Sequence, residues 1–392
     1  GRTGRALHRV HRDPEAVRRR LAALLLCGAA LCGAARADAG RVPLTRLSLG
    51  EIGGWIVLDV ELGGEHGRWL IDTGASRNLV SPALARRLGL SPRGSASADT
   101  VLGPVQGGEV SLPALRLGGF ERPGQTALAM ELSMLIGAAA EGITGVLGVP
   151  FLEGVQLDLD LRDGVATFAR GDASGCPAGS SAVTLTRHRM LPVITLAIGE
   201  PAVSEAYVLD TGNPAALVRM EFSAADAATP GLALPDGHRL TVLPRATIGA
   251  QTRSAVPVLR VAAPALARIF EGKLRGLAGT AFIDGARWRL DLARNQLCVE
   301  AIEVTTPGGF GLALGRRGSE LRLSTVLAGS PAATAGLREG DLVTRWPGGD
   351  TSRPLAELWA AVRGRDEIVV GVGDPARVVT LRRALFAPPA GP

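Results

Sequence analysis

Aromatic residues make up only 4% of this 392-residue chain, with a single tyrosine, so apolar volume has to come from aliphatic side chains. Cysteine is scarce as well, at four, and no cluster of cysteine and histidine has metal-ligand spacing, so neither a metal nor another cofactor is expected. Charge of one sign is also missing from most of the chain. Residues 1 to 37 carry eight arginines against Asp13 and Glu15, which accounts for the whole net charge of +6; removing these from 43 basic and 37 acidic residues leaves 35 of each. No basic patch remains for nucleic acid, which is excluded as a partner.

The basic start reads as a targeting segment. Arg18-Arg19-Arg20 precedes an apolar run from Leu21 to Ala35, and Ala35-Arg36-Ala37 offers the small residues that a signal peptidase reads, so cleavage after Ala37 is expected. That run is short for a membrane span; an uncleaved inner-membrane tether is the alternative to a free exported protein, periplasmic or secreted. Cys27 and Cys32 lie inside the run, leaving Cys176 and Cys298 in the mature chain. In an oxidising compartment these two either form a disulfide or stand as two half-buried thiols.

What the chain has in quantity is glycine (52) and proline (25) with 46% hydrophobic residues, a profile of many short strands and turns around sizeable cores. Its length is too great for one core and allows two or three domains. Two stretches echo each other: Trp69-Leu70-Ile71-Asp72-Thr73-Gly74-Ala75 and Tyr207-Val208-Leu209-Asp210-Thr211-Gly212-Asn213. Each drives an apolar strand into a carboxylate, which is costly to bury unless something is gained.

The echo extends further. Phe151-Leu152-Glu153-Gly154 matches Phe282-Ile283-Asp284-Gly285 and, without a gap, Leu159-Asp160-Leu161 matches Leu290-Asp291-Leu292. From Asp72 to Gly148 is 76 residues and from Asp210 to Gly279 is 69, so each acidic corner has a similarly distant apolar-apolar-Gly partner. The chain therefore reads as a tandem repeat of one all-β lobe. Lobe 1 is placed at 38–171, a Gly/Ser/Pro-rich linker at 172–182 and lobe 2 at 183–303. Within lobe 1, Gly63 to Arg68 is read as a turn, Ser81 to Gly89 as a capped short helix and Thr100 to Val110 as a flexible hairpin. After Glu303 the vocabulary changes to a small α+β domain at 304–385, with a helix from Leu355 to Val362 and a tail at 386–392.

If the lobes pack about a pseudo-twofold axis, Asp72 and Asp210 meet and cannot both ionise cheaply. They would share one proton as a pair. One carboxylate could then take a proton from water while the other gives one to a peptide carbonyl. Gly74 and Gly212 would allow the close approach, and Thr73 and Thr211 would tie one corner to the other. Leu102-Gly103-Pro104 would fold over the cleft as a flap.

These paired Asp-Thr-Gly corners, each with its apolar-apolar-Gly strand, resemble the aspartic peptidases, and Asp72-Thr73-Gly74-Ala75 is especially similar to the retropepsin-like branch. The resemblance covers roughly Val42 to Glu303. It implies an all-β bilobal peptidase acting on polypeptide substrates, with Asp72 and Asp210 as its dyad. Both lobes lie in one chain, so a monomer suffices. Three features depart from the family: Asn213-Pro214 follows the second corner, Ala278 stands in the second apolar-apolar-Gly, and no tyrosine lies in the flap. The C-terminal domain resembles a PDZ domain, through Phe310-Gly311-Leu312 as the carboxylate-binding loop and through Gly329-Ser330-Pro331-Ala332, Ala335-Gly336-Leu337 and Gly340-Asp341. That implies a groove for a C-terminal peptide, bounded by Leu312 to Leu314 and by Leu355 and Trp359. A catalytically silent envelope adaptor is the rival reading, and a serine hydrolase using Ser76 a distant third.

Overall fold

The computed structural model describes residues 40–385, apart from 49, 52, 101–102, 138–140, 171–174, 221–230, 235–236, 263–269, 271 and 307. The expected signal segment, the C-terminal tail and Leu102 lie outside the described residues. Strands dominate and the helices are short. Among the described residues no helix is long and apolar enough to cross a membrane.

Alternation writes the first strands. Trp55–Leu62 and Glu65–Ile71 pair antiparallel, turned by Gly63 and Gly64 at φ 61° and 85°, the left-handed pair that suits a tight hairpin. The turn is thus confined to two residues. His66, read as part of a longer turn, lies in the returning strand and bonds Asp59 at 3.0 Å. Ser81 caps the following helix, Pro82–Arg87, accepting from the Leu84 N–H at 3.3 Å.

Glu65–Ile71 runs parallel to Ile143–Leu147, which pairs antiparallel with Asn78–Val80. The second half repeats this wiring: Leu191–Ile198 pairs with Val203–Leu209, which runs parallel to Gly276–Ala278, itself antiparallel to Leu217–Met220. Even the alternation of buried and exposed positions along Trp55–Leu62 recurs along Leu191–Ile198. The same strand pairings thus occur around both acidic corners.

The halves are joined through a sheet as well as through their corners. Val155–Asp160 pairs antiparallel with Arg287–Asp291, drawing strands of both halves into one 15-stranded sheet. Two ion pairs cross that seam, Arg289 to Asp158 and Arg287 to Asp160. One hydrophobic core spans both halves, from Ile56 and Trp69 to Phe282 and Trp288. The expected linker is shorter than 172–182, because Ser180–Thr184 already pairs with Gln296–Glu300 at the end of that sheet. Backbone groups so close to a sheet edge gain ladder hydrogen bonds that a free linker would lack.

The C-terminal unit has its own core of Phe310, Leu312, Leu321, Trp346, Leu358, Trp359 and their neighbours. Its strands Leu312–Arg317 and Glu320–Val326 form a hairpin, and Val343–Arg345, Glu367–Val372 and Arg377–Arg382 form a three-stranded sheet. The helix expected at Leu355 to Val362 spans Leu355–Ala360.

Candidate active site

Both acidic corners are held by backbone first. The Asp72 N–H donates to Leu147 O and the Asp210 N–H to Ala278 O, each at 2.9 Å, so each corner hangs from its apolar-apolar-Gly strand. Within each corner the glycine N–H donates to the carboxylate two residues back, Gly74 to Asp72 Oδ1 at 2.8 Å and Gly212 to Asp210 Oδ1 at 3.0 Å. The carboxylates are thereby aimed before any partner is considered.

The partner is the other corner. Thr73 and Thr211 exchange two buried hydrogen bonds: the Thr73 N–H donates to Thr211 Oγ1 and the Thr211 N–H to Thr73 Oγ1, both at 3.0 Å. Their hydroxyls donate onward to Leu209 O at 2.6 Å and to Ile71 O at 2.8 Å. Each threonine thus uses its donor and its acceptor across the interface, leaving nothing unpaired in a buried place.

Glycine is required beside them by contact. A Cβ on Gly74 would lie 2.3 Å from Asp210 Oδ1, and one on Gly212 would lie 2.3 Å from Asp72 Oδ2. The two carboxyls act on each other directly, through charge and hydrogen bonding. Burial raises both above the ordinary carboxylate range. For Asp72 that rise is opposed by N–H groups of Gly74, Ala75 and Gly212 and by the hydrogen bond from Asp210. For Asp210 the charge of Asp72 adds to burial and holds it well above that range. The two carboxyls therefore titrate as a pair that cannot ionise fully at low cost, with the larger rise at Asp210.

Asn213, a departure from the family pattern, is held by its backbone and its side-chain oxygen, while its side-chain NH2 is buried without a partner. Its N–H faces Asp210, its side-chain oxygen accepts from the Ala215 N–H at 3.1 Å, and its carbonyl accepts from the Thr280 N–H at 2.8 Å. Tyr207 points away from the dyad, into the core, where its hydroxyl donates to Glu205 at 2.6 Å.

Beside the first corner lies a cleft of about 380 Å³, lined by Ser76, Arg77, Asn78, Ser97, Pro150 and, from the second half, Met190. Ser97 belongs to the strand Ser95–Thr100, which pairs with Gly103–Ser111. The hairpin containing Gly103 and Pro104 therefore borders the cleft, and its Gly107 and Gly108 lie within the strand, not in a turn. No hydrogen bond gives Ser76 a base among the described residues.

Three supporting residues escape the sequence reading. Trp55 donates its indole N–H to Gly212 O at 2.7 Å, reaching the second corner from the first half. Asn78, almost fully buried, accepts from the Gly148 N–H at 2.9 Å and so ties the first corner to its partner strand. Arg77 pairs with Glu109 of the hairpin at 3.2 Å. An asparagine directly ahead of two apolar strand residues was the one hint, since a buried amide must find partners.

In the C-terminal unit the expected groove needs one correction. Trp359 is 1% exposed and packs edge to face on Trp346, with ring centroids 5.4 Å apart. It is core, because the short helix turns Leu358 and Trp359 inward together. Leu355 lines a cavity with Pro354 and Ala356, while Phe310 and Leu312 are buried side chains whose backbone forms the loop. Cys176 and Cys298 are bonded, with Cα atoms 5.3 Å apart.

No curated protein matches the chain. Residues 58–151 match the family model for the aspartyl proteases, a segment that contains the Asp72 corner and its Gly148 partner and stops short of the Asp210 corner.

Proposed function

We propose that this chain is an exported, single-chain aspartic endopeptidase of two lobes, with Asp72 and Asp210 as the dyad and a C-terminal PDZ-like module that engages polypeptides. The observation that carries the reading is the reciprocal Thr73 and Thr211 exchange, which holds the two acidic corners together and supports a dyad that shares one proton. A shared proton is the general behaviour of aspartic peptidase dyads.

The chemistry follows from which partner holds the proton. Water lodged between the carboxyls loses a proton to Asp72 as its oxygen attacks the peptide carbonyl carbon, while Asp210 gives its proton to the carbonyl oxygen. The tetrahedral diol then collapses: the carbon–nitrogen bond breaks, the amine leaves with the proton held by Asp72, and Asp210 is reprotonated from the diol hydroxyl. No covalent enzyme intermediate is needed.

The hairpin bordering the cleft serves as the flap, with Arg77 and Glu109 joining it to the first corner. The Cys176 to Cys298 bond and the basic, apolar leader support export to an oxidising compartment. The test is cleavage of an unfolded protein from acidic to neutral pH. Asp72→Asn and Asp210→Asn should each lose about 10²- to 10⁴-fold in kcat/KM. Activity retained by either variant would remove the dyad, and peptide binding without any cleavage by the wild type would favour the silent adaptor.

A further inference from the structure

The loop Gly309 to Leu312 is built to hold a carboxylate, and it already holds one. Gly311 has φ 77°, a left-handed angle that turns consecutive backbone N–H groups toward one point. The loop is fixed from behind: Phe310 O accepts from the Ala332 N–H at 2.9 Å, Gly311 O from the Leu327 N–H at 2.8 Å, and Gly309 bridges Ala384. At the focus sits the side chain of Glu51, from the first half. Its Oε1 accepts from the Leu312 N–H at 2.8 Å and its Oε2 from the Phe310 N–H. The Gly311 N–H also faces it, as does the charge of Arg383, whose guanidinium stacks over the Phe310 ring at 4.7 Å.

We infer that Glu51 is a built-in stand-in for a peptide C-terminus, so that a polypeptide with a free terminal carboxylate binds the C-terminal unit only by displacing it. The inference rests on the PDZ-like reading above and adds the occupant. A glutamate side chain and a chain terminus present the same group to the same N–H donors, so the two compete for one site. The rest of the site fits an extended peptide. Leu312–Arg317 has a ladder partner on one side only among the described residues, and a cavity of about 790 Å³ lies between Leu355, Ala356 and Arg316 of the C-terminal unit and Thr45 and Leu47 of the first half.

Displacement would be felt at the dyad. Two residues after Glu51, within about 7 Å along the chain, Gly53 packs so closely on the second corner that a Cβ would lie 1.8 Å from Pro214 O. Trp55, next in line, holds Gly212 O through its indole. Ser48 closes the same segment by donating to Gly53 O at 2.8 Å, and Arg363 of the C-terminal unit donates to Ser48 Oγ. One short segment thus touches the carboxylate loop at one end and the Asp210 corner at the other.

The experiment uses the full chain and two readouts that need no turnover. Fluorescence anisotropy is measured with a mixture of labelled octapeptides ending in Val, Leu or Ala, as free acids and as amides. Glu51→Ala should bind the acids about tenfold or more tightly than wild type, because the site is no longer self-occupied, and neither protein should bind the amides. Glu51→Gln, which keeps the size and loses the charge, should behave in the same direction and serves if the alanine variant folds poorly. Hydrogen exchange across 205–216 should rise severalfold in both variants without peptide. Equal binding of the acids by wild type and variants would sink the competition while leaving peptide binding intact; no binding of the acids by any protein would sink both. Unchanged exchange at 205–216 would overturn the link to the dyad. A chain that never cleaves protein but shows both effects refutes the peptidase reading alone.

Discussion

Gly74 and Gly212 each stand where a single methyl group would collide with the opposite carboxylate. The carboxylate has no room to retreat, since its own corner pins it with an N–H at 2.8 to 3.0 Å. Gly74→Ala and Gly212→Ala should therefore each abolish measurable cleavage and cost about 1–3 kcal/mol of stability by overpacking, read from the urea midpoint. Near-normal turnover by either variant would mean that the carboxyls do not work as a pair. The pH response follows from the same contact. On the proposed mechanism activity needs one proton on the pair, so it should fall in acid as Asp72 takes up a proton and fall in alkali as Asp210 loses its own. The alkaline limb lies well above the ordinary carboxylate value, because burial and the charge of Asp72 both raise Asp210. For stability the sign is fixed: a raised carboxyl lends its full contribution below the unfolded value, and that contribution is lost as pH rises through the folded one. Asp210→Asn should accordingly match wild type in acid and melt higher than wild type near neutral pH, while remaining inactive. A lower melting temperature at neutral pH would contradict the assignment of the proton to Asp210.

The unit at the next scale is the corner with its partner strand, and its strength lies in pairing every buried donor. Thr73→Val keeps the shape of the side chain but leaves Leu209 O without its hydroxyl donor and the Thr211 N–H without its acceptor. Each orphaned group costs about 1–3 kcal/mol, so the variant should lose stability and activity together, whereas Thr73→Ser should retain most of both. Urea denaturation with a cleavage assay separates these outcomes. Much of this scale was legible in the sequence. Asp72-Thr73-Gly74 and Asp210-Thr211-Gly212 could be read because identical residues perform identical local tasks, and the gap-free match of Phe151-Leu152 with Phe282-Ile283 marked the repeat. Ser81 and the Gly63-Gly64 turn were legible for the same reason, as local chemistry has local signals. What could not be read is contact between distant segments. Nothing in the text around Glu51 points 259 residues ahead to Phe310, and Trp55 looks like any strand-opening aromatic until Gly212 is beside it. Trp359 was misread because a six-residue helix leaves its inward face undetermined by spacing alone, and the neighbour that decides it, Trp346, lies on another element.

At the scale of the molecule, three separate devices hold the halves in register. The threonine exchange works at the corners, the pairing of Val155–Asp160 with Arg287–Asp291 works at the far side, and the Cys176 to Cys298 bond ties the entry of the second half to its last long strand. The strand seam is reinforced by a two-pronged contact of Arg289 with Asp158, at 2.5 and 2.7 Å, and only about a quarter of either side chain is exposed. Because the halves share both a sheet and a hydrophobic core, they should unfold as one cooperative body. The C-terminal unit has a core of its own and should contribute a separate transition. The disulfide distinguishes the two. It closes a loop of 122 residues that lies wholly within the paired halves, so Cys176→Ser with Cys298→Ser should cost the first body about 2–5 kcal/mol, chiefly by freeing its unfolded chain. The fold should survive, since Ser180–Thr184 keeps its ladder with Gln296–Glu300 and the Ala301 N–H still donates to Gly179 O at 2.8 Å. Calorimetry should therefore show the larger transition moving down and the smaller one holding its place. A joint shift of both would mean that the Glu51 and Arg363 contacts bind the C-terminal unit into the same cooperative body as the halves.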